Sequence, residues 1–370
     1  MRHLPTLLAI AALAVLTLSA PALPAGEPSG AMPRYRHILV IVAENKGYDL
    51  IIGPKTDAPN LNRLAQRYGL ATRFFAEVHP SEGNYVAMLA GDTYGIHDDD
   101  AFYCTPGMRD TWCPKSGNAG YASHTLTAAS LMDQLAARGL TWKGYMESLP
   151  EPGSLAVRWP TKAQPVAGVP EQLYAAKHNG FLNFRSVQQD PARAAKIVDF
   201  KALYRDIATG QLPNYAHIVP NQCDDMHGRG AGGDVPEDCR SSNPAALIAR
   251  GDRVIGELVQ RIVSSPVWSS ADNTAIVITF DENDKEERSG ADQGCCGTEP
   301  GSAANFGGGR IPTIVITNHG PRGVVDATPY NHYSLLRTTE AAFGIDDYLG
   351  RAADERDGVV TMAPLFAVRR

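Results

Sequence analysis

Ile38-Leu39-Val40-Ile41-Val42-Ala43-Glu44-Asn45 is an unbroken apolar run closed by a carboxylate and an amide. The run is far shorter than the roughly 20 residues a membrane span needs, and too uniformly apolar for an edge strand, so it reads as a strand buried on both faces of a parallel sheet. In open α/β sheets ligands gather beyond the carboxyl ends of the strands, which puts Glu44 and Asn45 where such a fold places chemistry. On this strand alone they could equally begin a surface loop. The same pattern returns at Thr274-Ala275-Ile276-Val277-Ile278-Thr279-Phe280, which runs into Asp281-Glu282-Asn283.

Between these two runs the chain alternates helical and strand patterns, as an α/β protein does. Helical spacing is expected over Ala58–Tyr68, Thr127–Arg138, Ala245–Val263 and Tyr333–Phe343. Strands are expected over Ala71–Val78, Leu140–Tyr145, Tyr215–Val219 and Ile311–Thr317. Residues 92–123 carry Gly, Pro and Cys and read as an excursion over the surface, a candidate substrate rim. Its acidic run Asp98-Asp99-Asp100 reads as solvated loop, with cation binding as the alternative. Residues 148–170 show no period.

The N-terminus has the pattern of a secretory signal: Arg2, an apolar core from Leu7 to Leu18, then small residues up to Ala25. The expected organisation is a signal over 1–25, a linker over 26–34 and a single catalytic domain over 35–370, secreted or periplasmic. No later stretch is long and apolar enough to span a membrane. With 34 basic and 40 acidic residues the net charge is −6, which leaves no basic footprint for nucleic acid. Export makes the six cysteines disulfide candidates. Cys104 with Cys113, and Cys223 with Cys239, each flank a short loop that a bridge could staple. The adjacent Cys295 and Cys296 could bridge each other, pair elsewhere or stay reduced.

His79-Pro80-Ser81-Glu82-Gly83-Asn84-Tyr85 leads into a brief helix ending at Gly91, which sets Ser81 at a helix N-terminus. Serine is common there as a plain cap. The same position offers free N–H groups and a positive dipole end to an anion, so the Ser81 oxygen is also a candidate nucleophile toward a phosphate ester. His178 and His227 lie beside turn signals and carry little weight singly. Jointly, Glu44, Asn45 and Asp281 form a set of hard oxygen ligands for a divalent cation, with Ser81 activated by it. His178 and His227 would then hold phosphoryl oxygens or protonate the leaving group. Ca²⁺, Mg²⁺ and Mn²⁺ all suit such ligands.

Six segments recur in order: Glu44-Asn45-Lys46-Gly47-Tyr48-Asp49, His79 to Tyr85, Lys177-His178-Asn179, Asp225-Met226-His227, Asp281-Glu282-Asn283, and His332 to Thr338. Together they resemble the phosphoesterase family of bacterial and fungal acid phosphatases and phospholipases C, in the alkaline phosphatase superfamily. The resemblance implies a central, mostly parallel β-sheet with helices on both faces, a metal site at Glu44, Asn45, Ser81 and Asp281, and a covalent phosphoryl group on Ser81. It surrounds the phosphate with Asn84, His178, His227 and Glu282, has Asp225 orient a partner, and leaves His332 a structural role. Lys46-Gly47-Tyr48 departs from the family's Arg-Ser-Phe, and His79 is the only histidine between the first strand and Ser81. A serine nucleophile and the lack of a long C-terminal extension favour an exported acid phosphatase acting on small phosphorylated substrates. The alternatives are a phospholipase C-type phosphodiesterase and a non-catalytic protein binding a cation or phosphoester. Nothing around Ser81 matches the Cys/Ser-x-Pro-x-Arg setting of sulfatases.

Overall fold

The structure, a computed structural model, describes residues 32–230, 232, 234–284, 292–299 and 307–367. The expected signal over 1–25 lies outside the described residues, as does most of the linker. The strands are β1 (His37–Ala43), β2 (Gly69–Phe75), β3 (Trp142–Met146), β4 (Arg158–Trp159), β5 (Tyr174–Ala175) and β6 (Ile197–Val198). They continue with β7 (Tyr215–Val219), β8 (Thr274–Phe280), β9 (Arg310–Thr317), β10 (Val324–Asp326) and β11 (Tyr330–Asn331). One sheet runs in the order β10-β2-β9-β8-β1-β7-β3-β6, with β11 beside β2, while β4 and β5 form a separate antiparallel pair. Within the large sheet only β9 runs antiparallel to its neighbours, β2 and β8.

β1 lies between β7 and β8, parallel to both. Every residue of β8, and every residue of β1 after His37, is buried, because helices cover both faces. The Pro59–Arg67 helix packs on the Pro244–Val263 helix, and the Glu82–Ala90 helix packs on the His332–Phe343 helix. The register sets Ala43 opposite Phe280, and the Asp281 N–H continues the ladder to the Ala43 carbonyl at 3.0 Å. Glu44 and Asp281 therefore leave adjacent strands side by side.

Three elements differ from the sequence expectation for local reasons. The expected helix over Thr127–Arg138 starts at Leu131, where Ser130 and Asp133 cap one another's backbone. Leu126 is instead held extended in a bridge to Phe184. β2 stops at Phe75 because the next backbone N–H groups turn to a side chain: Glu77 and Val78 donate to Asn84 Oδ1 at 2.9 and 3.2 Å. The Phe200–Thr209 helix was not anticipated, although Asp199 caps it and Gly210, in the left-handed conformation, ends it.

All six cysteines are paired, as Cys104–Cys113, Cys223–Cys239 and the adjacent Cys295–Cys296. The acidic run is only partly solvated, with Asp99 exposed, Asp98 half-buried and Asp100 buried. Asp98 meets His124 Nε2 at 3.1 Å, Asp99 meets Lys177 Nζ at 2.9 Å, and Asp100 accepts from the Lys115 N–H at 2.9 Å. Each carboxylate thus has a protein partner of its own. No described helix is long and apolar enough to cross a membrane.

Candidate active site

Ser81 sits at the start of the Glu82–Ala90 helix, fully buried and already in helical conformation. Its oxygen makes no capping bond. Instead Oγ lies 3.2 Å from Glu44 Oε2, 3.5 Å from Asn45 Oδ1 and 3.3 Å from Glu282 Oε1. The strand ends supply the other groups. Asn45 takes a positive φ of 47°, which asparagine tolerates, and its backbone N–H donates to Asp281 Oδ1 at 3.0 Å. Its amide faces Glu44 Oε2 at 2.7 Å and both Asp281 oxygens at 3.2 Å.

Glu44, Asn45, Ser81 and Asp281 are thus brought together in one oxygen cluster. Burial, and then the charges of Asp281 and Asp225, push the Glu44 carboxyl well above the usual carboxylate range. Burial and the Glu282 charge push Asp281 up to about 7. Crowded, dry carboxylates beside a serine hydroxyl and an amide that can turn its oxygen inward are the donor set of a hard divalent cation, whose charge would reverse both shifts. The residues present fit such an ion.

His178 reaches the cluster from the segment after β5. Nε2 lies 3.3 Å from Glu44 Oε2 and Nδ1 lies 3.5 Å from Asp225 Oδ2, and the ring stacks on Tyr85 at 5.7 Å. Burial, with Lys177 next, holds the imidazole neutral. Asp225 Oδ1 accepts the His227 N–H at 2.7 Å, which sets the turn carrying His227. A second donor set, Glu44, His178 and His227, has ligand atoms within 4.8 Å of one another. Lys177 Nζ stands 3.3 Å from His227 Nε2, and an ammonium there repels a cation.

The remaining expected residues divide. Glu282 is buried, with one oxygen toward Ser81 and the other in contact with His79 Nδ1. Asn84 spends its amide on the backbone of Glu77 and Val78, so in this structure it braces the turn before Ser81. His332 is buried at the start of its helix, with Nε2 3.0 Å from the Phe280 carbonyl.

Two groups at the site escaped sequence reasoning. The Tyr85 hydroxyl donates to Glu44 Oε1. Tyr85 lies four residues after Ser81 on a helix, hence on the same face, and that spacing was the available signal. Glu82 is buried beside Ser81 and bonded to His124 Nδ1 at 3.0 Å and Asn183 Nδ2 at 2.5 Å. Only the fold reveals those partners.

A phosphoesterase family model matches residues 54–346; it begins after β1, so Glu44 and Asn45 lie outside the match. A phosphatidylinositol-3-phosphatase of Mycobacterium tuberculosis is 28% identical over 86% of this chain and 81% of its own length. A phosphate-repressible acid phosphatase of Penicillium chrysogenum is 28% identical over 79% of this chain, which spans 56% of that protein. In fold, a crystal structure of a protein in the alkaline phosphatase superfamily from Vibrio parahaemolyticus superposes with a TM-score of 0.51 at 14% identity, covering 87% of this chain and 69% of that one. The family match spans β2 to β11 and the His332–Phe343 helix and includes Ser81, His178, Asp225, His227 and Asp281, and on that match this chain belongs to the phosphoesterase family.

Proposed function

We propose that this chain is an exported, metal-dependent phosphatase that hydrolyses phosphate monoesters through a phosphoserine on Ser81, with residues 35–370 as its catalytic domain. Membership of the family and the phosphatases among its relatives support hydrolysis of phosphoric ester bonds. The observation that carries the covalent route is the Ser81 oxygen, buried, unspent on capping, and 3.2–3.5 Å from Glu44, Asn45 and Glu282.

A divalent cation bound by Glu44, Asn45, Ser81 and Asp281 would lower the pKa of the hydroxyl and offset charge on the phosphoryl group. Glu282 Oε1, 3.3 Å from Oγ, takes the serine proton, and His79 on its other oxygen steadies the carboxyl group that forms. Oγ bonds to phosphorus as the ester P–O bond breaks, and the departing alkoxide leaves as the alcohol after taking a proton from solvent. Water then attacks the phosphoserine on the opposite face of phosphorus and gives a proton to solvent, the Oγ–P bond breaks to release phosphate, and the serine oxygen recovers its proton from Glu282. Tyr85 orients Glu44, and Asp225 orients His227 through its backbone.

The test is a panel of phosphate esters run on the metal-stripped protein with Mg²⁺, Mn²⁺ or Ca²⁺ added back. Turnover of a monoester that vanishes on stripping and returns with one ion is the expected result. Full activity in the stripped protein would remove the metal from the proposal. Faster turnover of a choline phosphodiester than of any monoester would move the assignment to the phospholipase C side of the family.

A further inference from the structure

Lys177 precedes His178 in the chain, and its ammonium stands at the outer edge of the His227 ring. Nζ donates to Asp99 Oδ2 at 2.9 Å and meets His227 Nε2 at 3.3 Å. The direction of the second bond follows from the other ring nitrogen. His227 Nδ1 lies 2.8 Å from the Gly228 carbonyl, which only accepts, so Nδ1 carries the proton and Nε2 presents its lone pair to Lys177. His227 in this tautomer has no Nε2 proton to give to a phosphoryl oxygen or a leaving group.

An ammonium has three N–H donors, and the described residues engage two of them. The Lys177 side chain is 19% exposed, which leaves the third donor open to a ligand. The site is close by, because the His178 and His227 rings are 5.2 Å apart and their ligand atoms lie within 4.8 Å of the Glu44 carboxylate.

We propose that Lys177 holds a terminal phosphoryl oxygen of the substrate, its ammonium positioned by Asp99 and His227, and that this contact selects phosphate monoesters over diesters. The inference rests on the reading of Ser81 as the phosphoryl acceptor. A monoester presents three terminal oxygens carrying close to two negative charges; a diester presents two, carrying one. The compact ammonium meets the extra oxygen of the monoester, where a diester carries its second ester group instead.

The variants are Lys177→Met, Lys177→Met with Asp99→Asn, and Lys177→Arg, each in the full chain with metal supplied. The double variant removes the carboxylate that the single one leaves unpaired, which keeps the test open if Lys177→Met folds poorly. Calorimetry reads the binding of inorganic phosphate, and kcat/KM is measured for p-nitrophenyl phosphate and bis(p-nitrophenyl) phosphate.

A roughly 10–100-fold loss of phosphate affinity is expected in both methionine variants, with partial recovery in Lys177→Arg and a fall of the same order in the monoester-to-diester ratio of kcat/KM. Unchanged phosphate affinity in a folded methionine variant would overturn the inference, as would equal loss on both esters or a wild type that binds no phosphate. A wild type that binds phosphate through Lys177 but hydrolyses neither ester would instead remove the Ser81 reading and leave this contact standing.

Discussion

Ser81 occupies a position where a serine ordinarily accepts a backbone N–H, and here its oxygen is turned away from that bond toward three acceptor groups. Removing that oxygen therefore costs the helix no cap. Ser81→Ala is expected to abolish turnover by about 10⁴-fold or more while the thermal unfolding midpoint changes little. Retained turnover in a folded Ser81→Ala protein would exclude the phosphoserine. Tyr85 acts one turn later through Glu44. Tyr85→Phe leaves the Glu44 Oε1 atom without its hydroxyl partner, and the expected result is a roughly 10–100-fold weaker metal affinity, read by metal titration. Normal affinity in that variant would make the hydroxyl contact incidental.

At the scale of elements, the Glu82–Ala90 helix is buried over its whole length, so its neighbours decide where Ser81 sits. Gly180 touches its backbone, and a Cβ there would meet the Tyr85 carbonyl group at 2.8 Å. Gly180→Ala is accordingly expected to destabilise the fold by about 1–3 kcal/mol in denaturant melts, because backbone cannot yield as a side-chain tip can. The second neighbour is His124, which ties Glu82 to the 92–123 segment through Asp98. Burial alone would lower its pKa, but the Glu82 charge and the Asp98 hydrogen bond outweigh that and raise it to about 10. Burial raises Glu82 to about 7. Both shifts make the folded protein bind more protons than the unfolded chain, so both contributions weaken as pH rises. The Glu82 part is complete below pH 4.5 and fades as pH passes 7. The His124 part is complete below pH 6.5 and fades toward pH 10. Melting temperature should fall between pH 6.5 and 10 in the wild type, and less steeply in His124→Asn. Parallel curves would show that the pair does not set the slope.

Over the whole molecule, the parallel pairing of β1 with β8 and with β7 concentrates Glu44, Asp281 and Asp225 in a dry space, and burial raises the pKa of each. In the metal-stripped protein such raised carboxyls cost stability as pH rises through about 7, and a bound cation removes that cost. Metal add-back should thus raise the melting temperature more at pH 8 than at pH 5; at about 100 times its Kd an ion adds about 2.7 kcal/mol. An equal increment at both pH values would argue against carboxylate ligation. The sequence by itself determined the strands that end in acids and the serine at a helix start. Apolar runs and their abrupt polar stops are local patterns; Glu44, Asn45 and Asp281 lie at such stops, and Ser81 lies at the helix start. It also carried the α/β architecture, since strand and helix periods alternate along the chain. Tertiary structure alone decided the rest. Strand order brings Glu44 beside Asp281, the turn before Ser81 commits Asn84 to backbone, and the 92–123 excursion returns Asp98 and Asp99 to His124 and Lys177. Those pairings join residues far apart in the chain, and no local periodicity encodes which of two distant charges will be desolvated together.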